Sequence, residues 1–159
     1  ELVTHPLPLA AYLHHVPWEA LCKKATALGY LSHRDTTCSL NIHVSFQTFG
    51  EGERQQDAAI ARIRYFFEKP WEELLKFSRR PPAPSGASGR QVRYTDQPTE
   101  SLDYVKKCYH GGRYICVNLQ NSDTVEFRMF RGTLKTNTLL AALELVDRIC
   151  DVAFSGCSP

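Results

Sequence analysis

Two groups of side chains in this 159-residue chain have the types and spacing to do chemistry. The first is the pair Glu126 and Arg128, two residues apart in the stretch Thr124-Val125-Glu126-Phe127-Arg128-Met129-Phe130-Arg131-Gly132-Thr133-Leu134. A carboxylate beside a guanidinium can hold a metal ion and clamp an anion. It can equally be a solvated ion pair worth about 0–1 kcal/mol. The second group is Asn41, His43 and Ser45, interleaved with Leu40, Ile42, Val44 and Phe46. Three hydrogen-bonding side chains in a row can line a metal or phosphate site, or form the wet outer face of a sheet. Asparagine is depleted from ordinary strands, so its presence there needs a reason.

Both stretches read as β-strands, because side chains on a strand alternate between faces. In the first, Val125, Phe127 and Met129 fall on one face; Glu126, Arg128 and, less comfortably, Phe130 fall on the other. In the second, Ser39 joins Asn41, His43 and Ser45 on the polar face. A third strand spans residues 113–119, and Asn121-Ser122-Asp123 makes the turn that joins it to the strand beginning at Thr124. Glu1 to Thr4 reads as the end of another strand, which His5-Pro6-Leu7-Pro8 forces out of its sheet.

The helices follow from 3.6-residue periodicity and from their stop signals. Pro17 opens a helix that runs to about Leu28 and is stopped by Gly29. A longer pattern from Gln55 to about Phe77 is broken at Pro70, which predicts two helices or a kink. Thr99 can cap a short helix from Glu100 to about Tyr109. Thr136 or Asn137 caps the last helix, which runs to about Phe154 and ends at Gly156. Between the second and third of these regions, residues 78–95 are rich in Pro, Gly, Ser and Arg, and read as a mobile loop or lid.

Composition sets outer bounds. The chain is long enough for one domain with a sizeable core, here residues 1–159. The formal charge of +2, with no dense Lys/Arg run, argues against nucleic acid as a partner. No apolar run approaches the roughly 18 residues of a membrane helix, so no membrane partner is expected. The six cysteines form no C-x-x-C motif or Cys/His cluster of zinc-finger spacing. Cys22, Cys116 and Cys150 lie inside apolar patterns, where a thiol behaves as a small hydrophobe; a reducing, cytoplasmic setting is expected.

Assembled, these elements predict an α+β domain: a mostly antiparallel curved sheet with helices on one face. The polar strand faces would form a trough gathering Asn41, His43, Ser45, Glu126 and Arg128.

The order Cys38-Ser39-Leu40-Asn41-Ile42-His43-Val44-Ser45, then Arg113-Tyr114 with Val117-Asn118-Leu119, then Thr124 to Leu134 resembles the amidoligase family. That family comprises ATP-dependent carboxylate–amine ligases with a glutamine-synthetase-like fold. Glu1-Leu2-Val3-Thr4 with Pro6-Leu7 is similar to a segment near its early strands. The resemblance implies ATP and Mg2+ as cofactors, and a small-molecule or peptide carboxylate and an amine as substrates. The carboxylate is phosphorylated to an acyl phosphate, which the amine converts to an amide or isopeptide bond. It also implies roles. Glu1 and Glu126 are metal ligands, and His43 and Ser45 contact the nucleotide. Arg128 clamps phosphate or substrate carboxylate, and Arg113 and Arg131 are further catalytic contacts. Phosphoryl transfer depends on positioning and charge neutralisation, which such a residue set can supply.

The chain departs from the family pattern in two places. Asn41 stands where the family has the first histidine of His-x-His, and an amide oxygen is a weaker, uncharged ligand. The family's earlier Glu-x-Glu strand is not in this sequence, so the resemblance implies a domain truncated at its N-terminus. Two alternatives follow: a catalytically inactive glutamine-synthetase-like module that binds nucleotide or peptide, and, ranked last, a metal-dependent hydrolase built on His43 and Glu126.

Overall fold

The computed structural model describes residues 2–32, 38–79 and 115–156. Two short helices come first, α1 (Leu9–His14) and α2 (Trp18–Ala27), followed by strand β1 (Ser39–Ser45) and a 3-10 turn at Phe46–Phe49. Helices α3 (Glu53–Glu68) and α4 (Trp71–Ser78) precede strands β2 (Val117–Asn118) and β3 (Thr124–Arg131), and α5 (Thr136–Ser155) closes the described chain. The architecture is α+β: among the described residues, five helices and a three-stranded antiparallel sheet in the order β1-β3-β2. The sheet is neither closed nor strongly curled, so the expected curvature is not seen.

Local chemistry accounts for most element boundaries. Pro17 precedes the first residue of α2, where a missing N–H costs nothing. Gly29, just beyond it, takes φ +84°, a conformation that suits a residue without Cβ. Pro70 separates α3 from α4, because a proline inside a helix removes a hydrogen bond and clashes with the preceding turn. At the end of α5, Gly156 turns left-handed at φ +70°. There the Arg62 Nη1–H donates to the Ala153 carbonyl at 2.8 Å, satisfying one of the helix's last acceptors.

Three expectations are corrected. Residues 2–4 form no strand; the β1-β3-β2 sheet offers them no pairing partner, and Glu1 lies outside the described residues. The capping position of α5 is Lys135, one residue before Thr136, and it makes no side-chain cap. Phe130 is buried at 3% exposure instead of sharing the polar face, and it packs edge-on to Phe77 of α4. The cause is a register shift. Leu40 pairs with Phe130 but Ile42 pairs with Phe127, so Asn41 faces two residues of β3, Arg128 and Met129. One extra residue on β3 reverses its alternation from that point on. Phe127, Met129 and Phe130 can therefore all be buried.

The core lies between the apolar side chains of the sheet and helices α3 and α5. Val117, Val125 and Phe127 meet Ile63 and Phe67 of α3 and Val146 of α5, all at or below 1% exposure. Removing that much apolar area from water is the main term holding the sheet against the helices. Arg64 is an exception on α3. It is buried, yet its Nε and Nη1 have no hydrogen-bond partner among the described residues. Among the described residues, no helix is long and apolar enough to cross a membrane. The predicted helix at 100–109, Arg113, and the loop beyond Arg79 lie outside the described residues.

Candidate functional site

The site is assembled by pairing across the sheet. The β1–β3 register sets His43 opposite Glu126, and the β2–β3 register sets Asn118 opposite the same residue. Directly opposed residues project from the same face, so one carboxylate is flanked by a side chain from each neighbouring strand. Along β1, Asn41, His43 and Ser45 are exposed while Ile42 between them is buried, which fixes this as the open face.

Glu126 is the centre of the cluster and is itself buried, at 6% exposure. A carboxylate out of water has to be paired and hydrogen-bonded. Here Arg128 Nη1–H donates to Oε1 at 2.6 Å and Asn118 Nδ2–H donates to Oε2 at 2.7 Å. His43 Nε2 lies 3.5 Å from Oε1. His43 Nδ1 lies 3.1 Å from the Thr124 Oγ1, so both ring nitrogens are steered by neighbours. The tautomer that donates to Glu126 accepts from the Thr124 hydroxyl. Asn118 is held in turn, because its Oδ1 accepts the Gln120 backbone N–H at 3.1 Å. The chain Thr124–His43–Glu126–Arg128, braced by Asn118, is a connected polar network with an exposed imidazole at its edge.

The other expected residues fall at varying distances from this centre. Ser45 stands at the end of β1, and its hydroxyl accepts the Gln47 backbone N–H at 3.3 Å; it caps the 3-10 turn and pairs across the sheet with Thr124. Asn41 accepts from the Ser39 hydroxyl at 3.1 Å. Arg131, the last residue of β3, reaches away from Glu126 toward the C-terminal end of α4, where its Nη1 is 3.4 Å from the Arg79 carbonyl. Glu1 and Arg113 lie outside the described residues.

Asn118 is the member that the alternating-face reading passed over. A signal for it was present: once Asn121-Ser122-Asp123 is a turn between antiparallel strands, counting back from Glu126 brings Asn118 alongside.

The donor set bears on what could bind. Among the described residues, no group of three His, Cys, Asp or Glu side chains is gathered where it could hold a metal ion. The carboxylate of Glu126 already accepts from a guanidinium and an amide on its two oxygens. Magnesium prefers an octahedron of oxygens, so the described residues do not by themselves fit a magnesium ion. They do fit an orienting role: Glu126 fixes the guanidinium of Arg128 and the imidazole of His43 on an open sheet face.

Comparison with protein-family models, with curated proteins and with solved structures gave no match.

Proposed function

We propose that this chain belongs to an ATP-dependent carboxylate–amine ligase with a glutamine-synthetase-like fold. The observation that carries the reading is the meeting of His43, Glu126 and Arg128 on the open face of one antiparallel sheet. These are residues from two separate segments whose order resembles the amidoligase pattern. In this reading Arg128, held by Glu126, neutralises charge on a phosphoryl group or an acyl phosphate. His43, steered by Thr124 and Glu126, donates to a nucleotide oxygen, and Ser45 lies further along the same strand. Arg131 and Arg113 are additional contacts to phosphate or substrate. ATP is the cofactor, and Mg2+ needs ligands beyond Glu126; Glu1 is the one this reading names. The substrates are a small-molecule or peptide carboxylate and an amine, in the reducing, cytoplasmic setting that the cysteines suggest.

The test is formation of ADP by the protein with magnesium and panels of amino acids and peptides. ADP release that needs both a carboxylate and an amine, and that falls at least about a hundredfold in Arg128→Met, supports the ligase reading. ADP release that ignores either substrate, or persists in Arg128→Met, refutes it. Nucleotide binding without turnover would favour the second reading, a non-catalytic binding module, which the Asn41 departure from His-x-His favours.

A further inference from the structure

A cavity of about 340 Å³ opens between the C-terminal end of α4, the last residues of β3 and the first turns of α5. It is separate from the Glu126 cluster. Three cations stand around it, Lys76 from α4, Arg79 just beyond that helix and Arg131 from β3, and no Asp or Glu among the described residues lines it. Thr133, Asn137 and Thr138 add hydroxyl and amide groups. Its floor is apolar, made by Leu40, Phe77 and Phe130, with Ala141 and Ala142 of α5 at the back.

Three positive charges around one concavity, with no carboxylate among the described residues of its wall, repel one another unless something neutralises them. Among the described residues Arg131 finds the Arg79 carbonyl, at a long 3.4 Å. The start of α5 adds to the imbalance. This 20-residue helix has no acidic residue in its first turn and no side-chain cap, so among the described residues no negative charge answers its positive end at the cavity wall. Phe77 is 44% exposed although it touches Phe130, so an apolar surface faces the same space. A bare inorganic ion would satisfy the charges and leave that surface wet.

We propose that this cavity binds a small organic anion, with a phosphate or carboxylate head held by Lys76, Arg79 and Arg131 and an apolar body against Phe77, Phe130 and Leu40. The inference shares Arg131 with the ligase reading but rests on the cavity, and it stands whether or not Glu126 serves in turnover. Guanidinium forks suit either oxyanion, and the apolar floor discriminates against anions that lack a hydrophobic part.

Isothermal titration of the full chain with phenyl phosphate, phenylacetate and inorganic phosphate tests it, without ATP present. At least one of the two aromatic anions should bind, and at least about tenfold more tightly than inorganic phosphate. Arg131→Ala and Lys76→Ala should each weaken that binding by about tenfold or more, because each removes a charge-assisted contact. Both variants are to be checked for an unchanged circular dichroism spectrum; Arg79→Gln serves as a third variant, since that side chain is exposed and a fold defect there is not expected. Glu126→Gln should bind as wild type does. The proposal is overturned if neither aromatic anion binds, if inorganic phosphate binds as tightly, or if the three charge variants bind undiminished. Anion binding by a wild-type protein that forms no ADP with any substrate pair would count against the ligase reading alone.

Discussion

Replacing Glu126 by Gln changes one atom type at the centre of the polar network, and its cost can be worked out bond by bond. The carboxylate accepts from two donors, Arg128 Nη1–H on Oε1 and Asn118 Nδ2–H on Oε2, with His43 Nε2 3.5 Å from Oε1. A carboxamide has a single acceptor. If its oxygen faces Arg128, its NH2 faces the NH2 of Asn118. Asn118 can turn its amide over to offer Oδ1, but that oxygen already accepts the Gln120 N–H, so one bond is lost either way. The variant also removes the negative charge that Arg128 faces in a largely buried setting, where the two side chains are 17% and 8% exposed. Losing a charge-assisted hydrogen bond costs about 1.5–3 kcal/mol, and a newly unsatisfied buried group adds to it. The expected destabilisation is about 2–3 kcal/mol, which lowers Tm by about 4–12 °C for a chain of this size. Urea unfolding of wild type, Glu126→Gln, Arg128→Met and the double variant measures both the cost and the coupling. The coupling energy between positions 126 and 128 should be at least about 1 kcal/mol, within the range seen for contacting pairs. The reasoning fails if Glu126→Gln unfolds within about 0.5 kcal/mol of wild type, or if the two single changes simply add.

Other expectations are smaller in scope. A Cβ at Gly132 would sit 3.0–3.2 Å from Cys38, against its backbone as well as its side chain, so Gly132→Ala should cost about 1–3 kcal/mol in urea unfolding and loosen the start of β1. Asp147 has its carboxyl pushed above the usual range, first by burial and then by Asp151 one turn along α5. The folded state therefore holds that proton more tightly than the unfolded chain, so stability falls as pH rises through the folded-state value. Asp147 is mostly exposed and screened, so Asp147→Asn should stabilise the protein at pH 7 by only about 0.2–0.5 kcal/mol and show no gain once the pH is well below the carboxylate range. Burial, with Asp147 and Asp151 nearby, pushes the Cys150 thiol up to about 12. Since the thiolate is the reactive form, iodoacetamide at pH 8 should modify the exposed Cys38 while leaving Cys150 untouched until denaturant is added, as read by peptide mass mapping.

Local chemistry was legible where the residues that decide a structure lie close together in the chain. The alternation of Leu40, Ile42 and Val44, the break at Pro70, the stops at Gly29 and Gly156, and the turn at Asn121-Ser122-Asp123 all act within a few residues. The departures depend on partners distant in sequence. The extra residue of β3 opposite Asn41 exists only because of the pairing with β1, and it is what returns Phe130 to the core. A strand at Glu1–Thr4 is plausible by composition, but a strand needs a neighbour for its backbone groups and residues 2–4 have none among the described residues. Helix α1 (Leu9–His14) went unread because Pro6 and Pro8 signal an exit from regular structure; Pro8 in fact stands at its N-cap. At the site, strand alternation put Glu126 beside Arg128 and His43 on a polar face. What it could not show is that Glu126 is buried, because that follows from Asn118 and Arg128 folding over it.

The most direct test of the ligase reading follows oxygen. An acyl-phosphate mechanism transfers one carboxylate oxygen to the phosphate that leaves, so a carboxylate substrate labelled with 18O should yield inorganic phosphate carrying one label, seen by mass spectrometry or as a shifted 31P resonance. The account predicts labelled phosphate that forms only with ATP and amine present and is lost in Arg128→Met. Phosphate released without label from a labelled carboxylate that is itself consumed would contradict it.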